Sequence, residues 1–156
     1  MKVYTLAREQ LIHRPLHQTF SFFADARNLE AITPPWLRFE IVSAPAQLAT
    51  GSEIVYRLKW HSITLQWKTG IEVWNPPATF VDVQKSGPYA LWRHTHQFIP
   101  RGDDTLVIDH VNYALPFGPI GRLAHVLTVR EDVDAIFDYR TNRVNELLDC
   151  VSAHSG

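Results

Sequence analysis

The sequence predicts an α+β fold in which one long C-terminal helix covers an antiparallel sheet of seven strands. Three observations carry this. The stretch Phe117 to Val151 opens on Pro-Phe-Gly-Pro-Ile-Gly and then runs without Pro or Gly. At 100° per residue, Val126, Val133, Phe137, Val144, Leu148 and Val151 fall on one narrow apolar stripe, with Leu123, Leu127, Ile136 and Leu147 at its edges, while Asp132, Arg143, Glu146 and Asp149 fall away from it. Almost everything between residues 37 and 115 reads as strand, and the short loops between these strands make neighbours antiparallel. Gly118 and Gly121 are expected to loosen the first turn of the helix and to place a kink there.

The elements follow in order. Residues 2–12 form a first strand with Val3, Tyr4, Leu6, Leu11 and Ile12. Pro15 opens a short helix over Leu16 to Asp25, with Leu16, Phe20 and Phe23 on one side. A second short helix, Ala26 to Ile32, ends at Thr33-Pro34-Pro35 because proline cannot continue it. Trp36 to Val42 reads as a strand. Ile54, Tyr56, Leu58 and Trp60 alternate with charged residues, a half-buried strand, and Ile63 to Val73 repeats the pattern after a tight turn at His61-Ser62. Gly70 marks a bend or bulge in that strand. Further strands cover Thr79–Lys85, Ala90–Ile99 and Thr105–Leu115, with loops at Ser86-Gly87-Pro88 and at Arg101–Asp104.

Composition narrows the function. The 156 residues are read as one domain, 1–156, with 46% hydrophobic and 20% charged residues. A formal net charge of -1 gives no field that would favour nucleic acid or an anionic membrane. One cysteine, Cys150, excludes an internal disulfide and a thiolate metal cluster. The N-terminal residues lack the apolar run of a signal peptide, and no window approaches a membrane span, so a cytoplasmic location is expected. There is no phosphate-binding Gly-rich loop, no His-Glu-x-x-His and no Gly-x-Ser-x-Gly. Five Trp and eight Phe point to a bulky core or an aromatic-lined cavity.

This element order, together with several motifs, resembles the START-like, or SRPBCC, superfamily. The matching residues are Phe22-Phe23-Ala24-Asp25 with Asn28-Leu29, Thr33-Pro34-Pro35-Trp36-Leu37, Phe80-Val81-Asp82-Val83-Gln84 with Gly87-Pro88, Trp92-Arg93-His94-Thr95-His96-Gln97-Phe98, Pro116-Phe117-Gly118 and Ile136-Phe137-Asp138-Tyr139-Arg140. They are closest to bacterial cyclase/dehydrase-like or ligand-binding members, and the resemblance spans nearly the whole chain. It implies the helix-grip fold, a curved antiparallel sheet wrapped around one long C-terminal helix with a cavity between them. The superfamily includes lipid carriers, hormone receptors and polyketide aromatase/cyclases, so it does not name one activity.

The residues themselves point to a site. On the strand 90–99, Trp92, His94, His96 and Phe98 share the bulkier face, which is expected to point inward. A three-residue loop at Gly87-Pro88-Tyr89 places Asp82 opposite His94 and Gln84 opposite Trp92. A four-residue loop at Arg101–Asp104 places Asp109 opposite His96 and Tyr113 opposite Trp92. The wall then carries two Asp–His pairs, Asp82–His94 and Asp109–His96. They can serve as a network fixing the register, as partners for the polar end of a ligand, as a metal site, or as acid–base groups. Arg130 and Arg140 project from the helix stripe. Each can snorkel, and Arg140 can meet an acidic ligand group or complete the Asp82/Asp109 network. Trp60, Trp67, Trp92, Tyr56, Tyr113 and Phe137 form an aromatic set, and Trp36 and Phe117 are candidates for an entrance.

The expectation is a binding module for a hydrophobic or aromatic small molecule or a lipid. The cavity is expected to be lined by Trp67, Trp92, Tyr113, Phe137 and Val144. Ligand contacts are assigned to Trp67, Asp82, Gln84, Trp92, His94, His96, Asp109, Tyr113, Phe137 and Arg140. No cofactor, no metal, no nucleic-acid partner and no stable membrane insertion are expected. The alternatives are an aromatase/cyclase-type enzyme in which His94 or His96 moves protons, and a protein–protein module with a filled cavity.

Overall fold

The computed structural model describes the backbone of residues 1–154 and the side chains of residues 1–148. Asp149, Cys150 and the expected stripe position Val151 lie outside the described side chains. Seven strands form one antiparallel sheet: β1 (Tyr4–Ile12), β2 (Glu40–Ser43), β3 (Glu53–Trp60), β4 (Ile63–Asn75), β5 (Thr79–Ser86), β6 (Leu91–Arg101) and β7 (Asp104–Ala114). Their order in the sheet is β1-β7-β6-β5-β4-β3-β2. The hairpins from β3 to β7 are sequential, whereas β1 crosses over to pair with β7, from Tyr4 opposite Tyr113 to Ile12 opposite Thr105. Between β1 and β2 lie the helices α1 (Leu16–Ala24) and α2 (Asn28–Ile32).

Local chemistry accounts for most boundaries. His61 and Ser62 have φ of 45° and 71°, the left-handed pair that a two-residue hairpin turn requires. Register shifts fall on both sides of Gly70, between Lys68 and Thr69 and between Ile71 and Val73. The β6–β7 loop is shorter than expected: Arg101 and Asp104 pair, leaving a two-residue turn with the same parity. The expected strand Trp36–Val42 is confined to Glu40–Ser43. Pro35–Leu37 is instead a 3-10 turn, closed by Arg38 at φ 47°. Proline at its first position favours that turn and has no N–H to give to a ladder.

The C-terminal helix is continuous but changes pitch. It runs as α3 (Gly118–Ala124), a π-helical turn (His125–Val129) and α4 (Arg130–His154). The π turn accommodates one extra residue, so it rotates everything N-terminal to it by about 100° relative to a straight α-helix. This overturns the start of the expected stripe. Leu123, Val126 and Leu127 are 59%, 73% and 64% exposed, while Gly121, His125 and Val129 face inward. Beyond the turn, Val133, Phe137 and Val144 are buried as the periodicity requires. Gly121 is required for another reason. A Cβ there would fall 2.1 Å from the Pro116 carbonyl oxygen, so the chain can fold back onto the helix start only at glycine. Val126→Ala is therefore expected to change unfolding stability by less than about 0.5 kcal/mol. A urea-unfolding loss above about 1 kcal/mol would place Val126 in the core instead.

Polar contacts set the helix against the sheet. From β1, Arg8 reaches Asp138 and Asp134, and Gln10 donates to the Thr141 carbonyl and to Asn145. From the β3–β4 end, Trp60 Nε1 donates to Asp132 at 2.9 Å, and His61 lies 3.0 Å from the same carboxylate. Between these seams lie two apolar clusters. One contains Ile12, Phe20, Phe23, Ile32, Phe80, Phe98, Val107 and Val144; the other contains Val111, Tyr113, Val129, Val133 and Phe137. No helix among the described residues is long and apolar enough to cross a membrane.

Candidate functional site

The inner face of β6 runs from one apolar cluster to the other. Phe98 belongs to the first and Trp92 packs against the second, and His94 and His96 stand between them. Both histidines are buried, at 4% and 3% exposure, and their rings stack 3.7 Å apart. Phe80 covers the His96 ring at 4.0 Å, and Phe137 meets His94 edge-on at 5.6 Å. The sheet register places Asp82 opposite His94 and Asp109 opposite His96.

The hydrogen bonds do not follow that register. His94 Nε2 bonds Asp109 at 2.7 Å, and His96 Nε2 bonds Asp82 at 2.6 Å. The directly opposite contacts are longer, 3.9 Å for His94 Nδ1 to Asp82 and 3.4 Å for His96 Nδ1 to Asp109. The expected pairs are therefore exchanged. An imidazole overreaches the carboxylate directly across, and strand twist brings one diagonal neighbour within reach of its far nitrogen. His96 Nδ1 is left buried without a hydrogen bond.

Arg140 completes the cluster from α4. Its guanidinium lies 4.0 Å from Asp109 and stacks over the rings of Phe23 and Phe137 at 5.5 and 5.7 Å. Burial opposes charge on both histidines and both carboxylates. It pushes His94 down, with His96 adding to the push against the pull of Asp109 and Asp82. Burial also pushes on His96, but the carboxylates of Asp109 and Asp82 outweigh it and raise the group above its ordinary value. Despite burial, Asp82 is held low by its bond to His96 and by the charges of His94, His96 and Arg140. Asp109 is held well below the usual carboxylate range by Arg140 and by its contacts with the two histidines. His96 is thus the member of the pair whose surroundings favour the charged form, and Arg140 adds a cation beside the two carboxylates, partners that a buried cluster needs.

Four members of the cluster, Asp82, His94, His96 and Arg140, line a cavity between sheet and helix with a volume of about 180 Å³. Of the assigned contacts, Trp67, Asp82, Trp92, His94, His96, Phe137 and Arg140 line it. Trp67 packs against Tyr56, Tyr89 and Trp92 at ring distances of 5.8, 5.4 and 5.4 Å. Its buried indole N–H has no protein acceptor. Tyr56 bonds Thr69 at 3.1 Å, and burial raises the pKa of Tyr56.

Three assigned residues lie elsewhere. Gln84 turns to the β5–β6 loop, donating to the Tyr89 carbonyl at 2.7 Å and accepting its N–H at 3.0 Å. The ladder ends at Val83–Arg93, so the loop's backbone groups need such a partner. Tyr113 is buried in the second cluster with its hydroxyl 2.7 Å from His125 Nε2. Asp109 sits behind His94 and off the cavity wall. Val144, expected as lining, is wholly buried in the first cluster. Trp36 packs on Tyr139 at 58% exposure, and Phe117 is 79% exposed; neither lines the cavity. Arg130 is exposed, as snorkelling requires.

Sequence reading missed the wall supplied by α1, α2 and the segment after them, including Phe22, Leu29, Ile32, Leu37 and Phe39. The Phe22-Phe23 pair was the available signal. On an amphipathic helix only one of two adjacent phenyl rings faces the core directly, so the other needs a second apolar surface.

The architecture defines a cavity protein whose long helix is gripped by a curved sheet. The chain has the START-like, or SRPBCC, fold. A START superfamily protein from Mycobacterium smegmatis matches with a TM-score of 0.68 at 11% identity, covering 92% of this chain and 98% of that one. A protein from Thermus thermophilus matches with a TM-score of 0.64 at 19% identity, covering 90% and 97%. A Thalictrum norcoclaurine synthase point mutant, in complex with a transition-state analogue, matches with a TM-score of 0.66 at 12% identity, covering 93% and 96%. No family model and no curated protein sequence matches the chain.

Proposed function

We propose that the chain binds a compact aromatic or other apolar small molecule between the sheet and α4, with the molecule's polar end against His94, His96, Asp82 and Arg140. The observation that carries this reading is an aromatic-walled cavity whose lining includes a polar cluster, Asp82, His94, His96 and Arg140. Its size selects among cargoes. About 180 Å³ is close to the roughly 150 Å³ apolar cavity that takes benzene, and well below the roughly 300–1,000 Å³ of larger ligand pockets. A one- or two-ring molecule fits this space, and a two-chain lipid does not without opening the grip. The Trp67 N–H, buried without an acceptor, favours a ligand that carries an oxygen.

The enzyme reading uses the same cavity. It is favoured by two Asp–His pairs and an arginine at the cavity end, groups that a carrier of purely apolar cargo does not need. The norcoclaurine synthase of this fold shows that the scaffold hosts catalysis in another protein.

The test is titration with 2-naphthol, followed by quenching of tryptophan fluorescence and by native mass spectrometry. Saturable 1:1 binding is expected in the native protein. It should be lost in Ile136→Trp, which puts bulk into the cavity from α4 and leaves the polar cluster intact. Absence of saturable binding by one- and two-ring phenols, acids and ketones would overturn the proposal. Chemical conversion of a bound compound, read by mass, would move the assignment to the enzyme.

A further inference from the structure

We infer that Asp82, His94 and His96 form a binding site for a divalent first-row transition ion of the zinc class, open to the cavity on its fourth side. Each of the three residues offers a ligand atom, and these atoms lie within 4.8 Å of one another. The donor set, two imidazoles and one carboxylate, suits zinc, iron(II) or cobalt(II) rather than calcium or magnesium.

The two edges to Asp82 lie near the spacing an ion requires. Metal–ligand bonds of about 2.0–2.1 Å in a tetrahedron place donor atoms about 3.3 Å apart. Asp82 Oδ2 lies 2.6 Å from His96 Nε2 and 3.9 Å from His94 Nδ1, values that bracket this edge. The short edge is the present hydrogen bond, and an ion would take the place of its proton. The long edge lies beyond hydrogen-bonding range, so His94 Nδ1 faces Asp82 across a gap that no shared proton bridges.

The groups behind the ligands are also those a metal site uses. Asp109, an acceptor, bonds the far nitrogen of His94 at 2.7 Å. That contact assigns the ring N–H to Nε2 and leaves the Nδ1 lone pair directed at the site, the carboxylate–histidine–metal arrangement. His96 presents the mirror case. Its Nε2 faces the site and its Nδ1 is buried without a hydrogen bond, 3.4 Å from the same Asp109 carboxylate. Asp109 is thus the acceptor nearest the orphaned nitrogen, and lengthening the 2.6 Å edge to admit an ion moves His96 away from Asp82 rather than toward it. All three ligands line the cavity, so the remaining coordination position faces any molecule bound there. This conclusion departs from the sequence expectation of no metal. Hairpin parity places both carboxylates beside the rings but does not reveal which nitrogen each one meets.

The experiment strips the full-length protein with chelator and titrates it with Zn2+ by calorimetry and with Co2+ by visible absorption. One saturable equivalent of Zn2+ is expected, together with the visible bands of a nitrogen- and oxygen-ligated Co2+ that zinc displaces. His96→Gln and Asp82→Asn should abolish that equivalent, and Asp109→Asn should weaken it by roughly 10–100-fold. Failure of the wild-type protein to bind a saturable equivalent would overturn the inference whether or not the variants fold. Equal zinc affinity in folded His96→Gln or Asp82→Asn, checked by circular dichroism, would also overturn it by assigning the ion to surface histidines. The result is independent of cargo, since zinc binding is read without 2-naphthol and naphthol binding is read in chelator.

Discussion

Asp109→Ala is expected to lower the free energy of unfolding by about 3–5 kcal/mol, because it removes one side of a buried charged cluster. Asp109 contacts His94 at 2.7 Å, His96 at 3.4 Å and Arg140 at 4.0 Å, with 13% of its side chain exposed. Without it, Arg140 keeps its place over Phe23 and Phe137 with no carboxylate within the same distance, and the Nε2 hydrogen of His94 loses its acceptor. Replacing Asp82, His94, His96, Asp109 and Arg140 together by apolar residues of similar volume should be neutral or stabilising, by up to about 4 kcal/mol. The contrast identifies the reason the cluster exists. A fold that gains stability on losing all five groups holds them for function. Urea unfolding in chelator, which removes any contribution from bound metal, measures both variants. A cost below about 1 kcal/mol for Asp109→Ala would mean that the groups are not coupled.

Phe20→Ala is expected to cost about 3–5 kcal/mol, the range for a buried ring cut to a methyl group. Phe20 is 5% exposed and meets Phe98, Trp74 and Phe80 at ring distances of 5.1, 5.4 and 5.9 Å. With Phe23, which meets Phe98 at 5.6 Å, it holds α1 on the sheet, and α1 in turn supplies Phe22 and Phe23 to the cavity wall. For a chain of this length the loss corresponds to a Tm lower by about 6–20 °C. A scanning calorimetry shift below about 3 °C would show that α1 is not anchored at this point.

Much of the fold was legible because periodicity records burial. The alternation in β3 and β4, the turn at His61-Ser62 and the loop at Arg101–Asp104 specify hairpins whose parity has few solutions. The opposition of Asp82 to His94, Asp109 to His96 and Tyr113 to Trp92 follows from that arithmetic and stands in the sheet. Parity holds because a slip of one residue would turn Trp92, His94, His96 and Phe98 out to water. Helix phase was less legible. The stripe beginning at Val126 assumed 3.6 residues per turn throughout, and a single π turn moved Leu123, Val126 and Leu127 to the outside. Such a turn leaves no periodic signature over five residues.

By itself, then, the sequence determined the antiparallel hairpins from β3 to β7, the inward face of β6, the presence of a long covering helix and the residues that can carry charge into the interior. Each of these is a local property, set by side-chain alternation, turn chemistry or composition. Tertiary structure alone decided that β1 lies beside β7, that the Arg140 guanidinium stacks over Phe23 and Phe137, and that Gln84 and Tyr113 leave the cavity. It also decided that each histidine bonds the diagonal carboxylate. The physical reason is common to all of them. These contacts join groups far apart in sequence, and their geometry depends on strand twist, on the rotation introduced by the π turn and on the reach of side chains across a packed interior, none of which is recorded in the order of neighbouring residues.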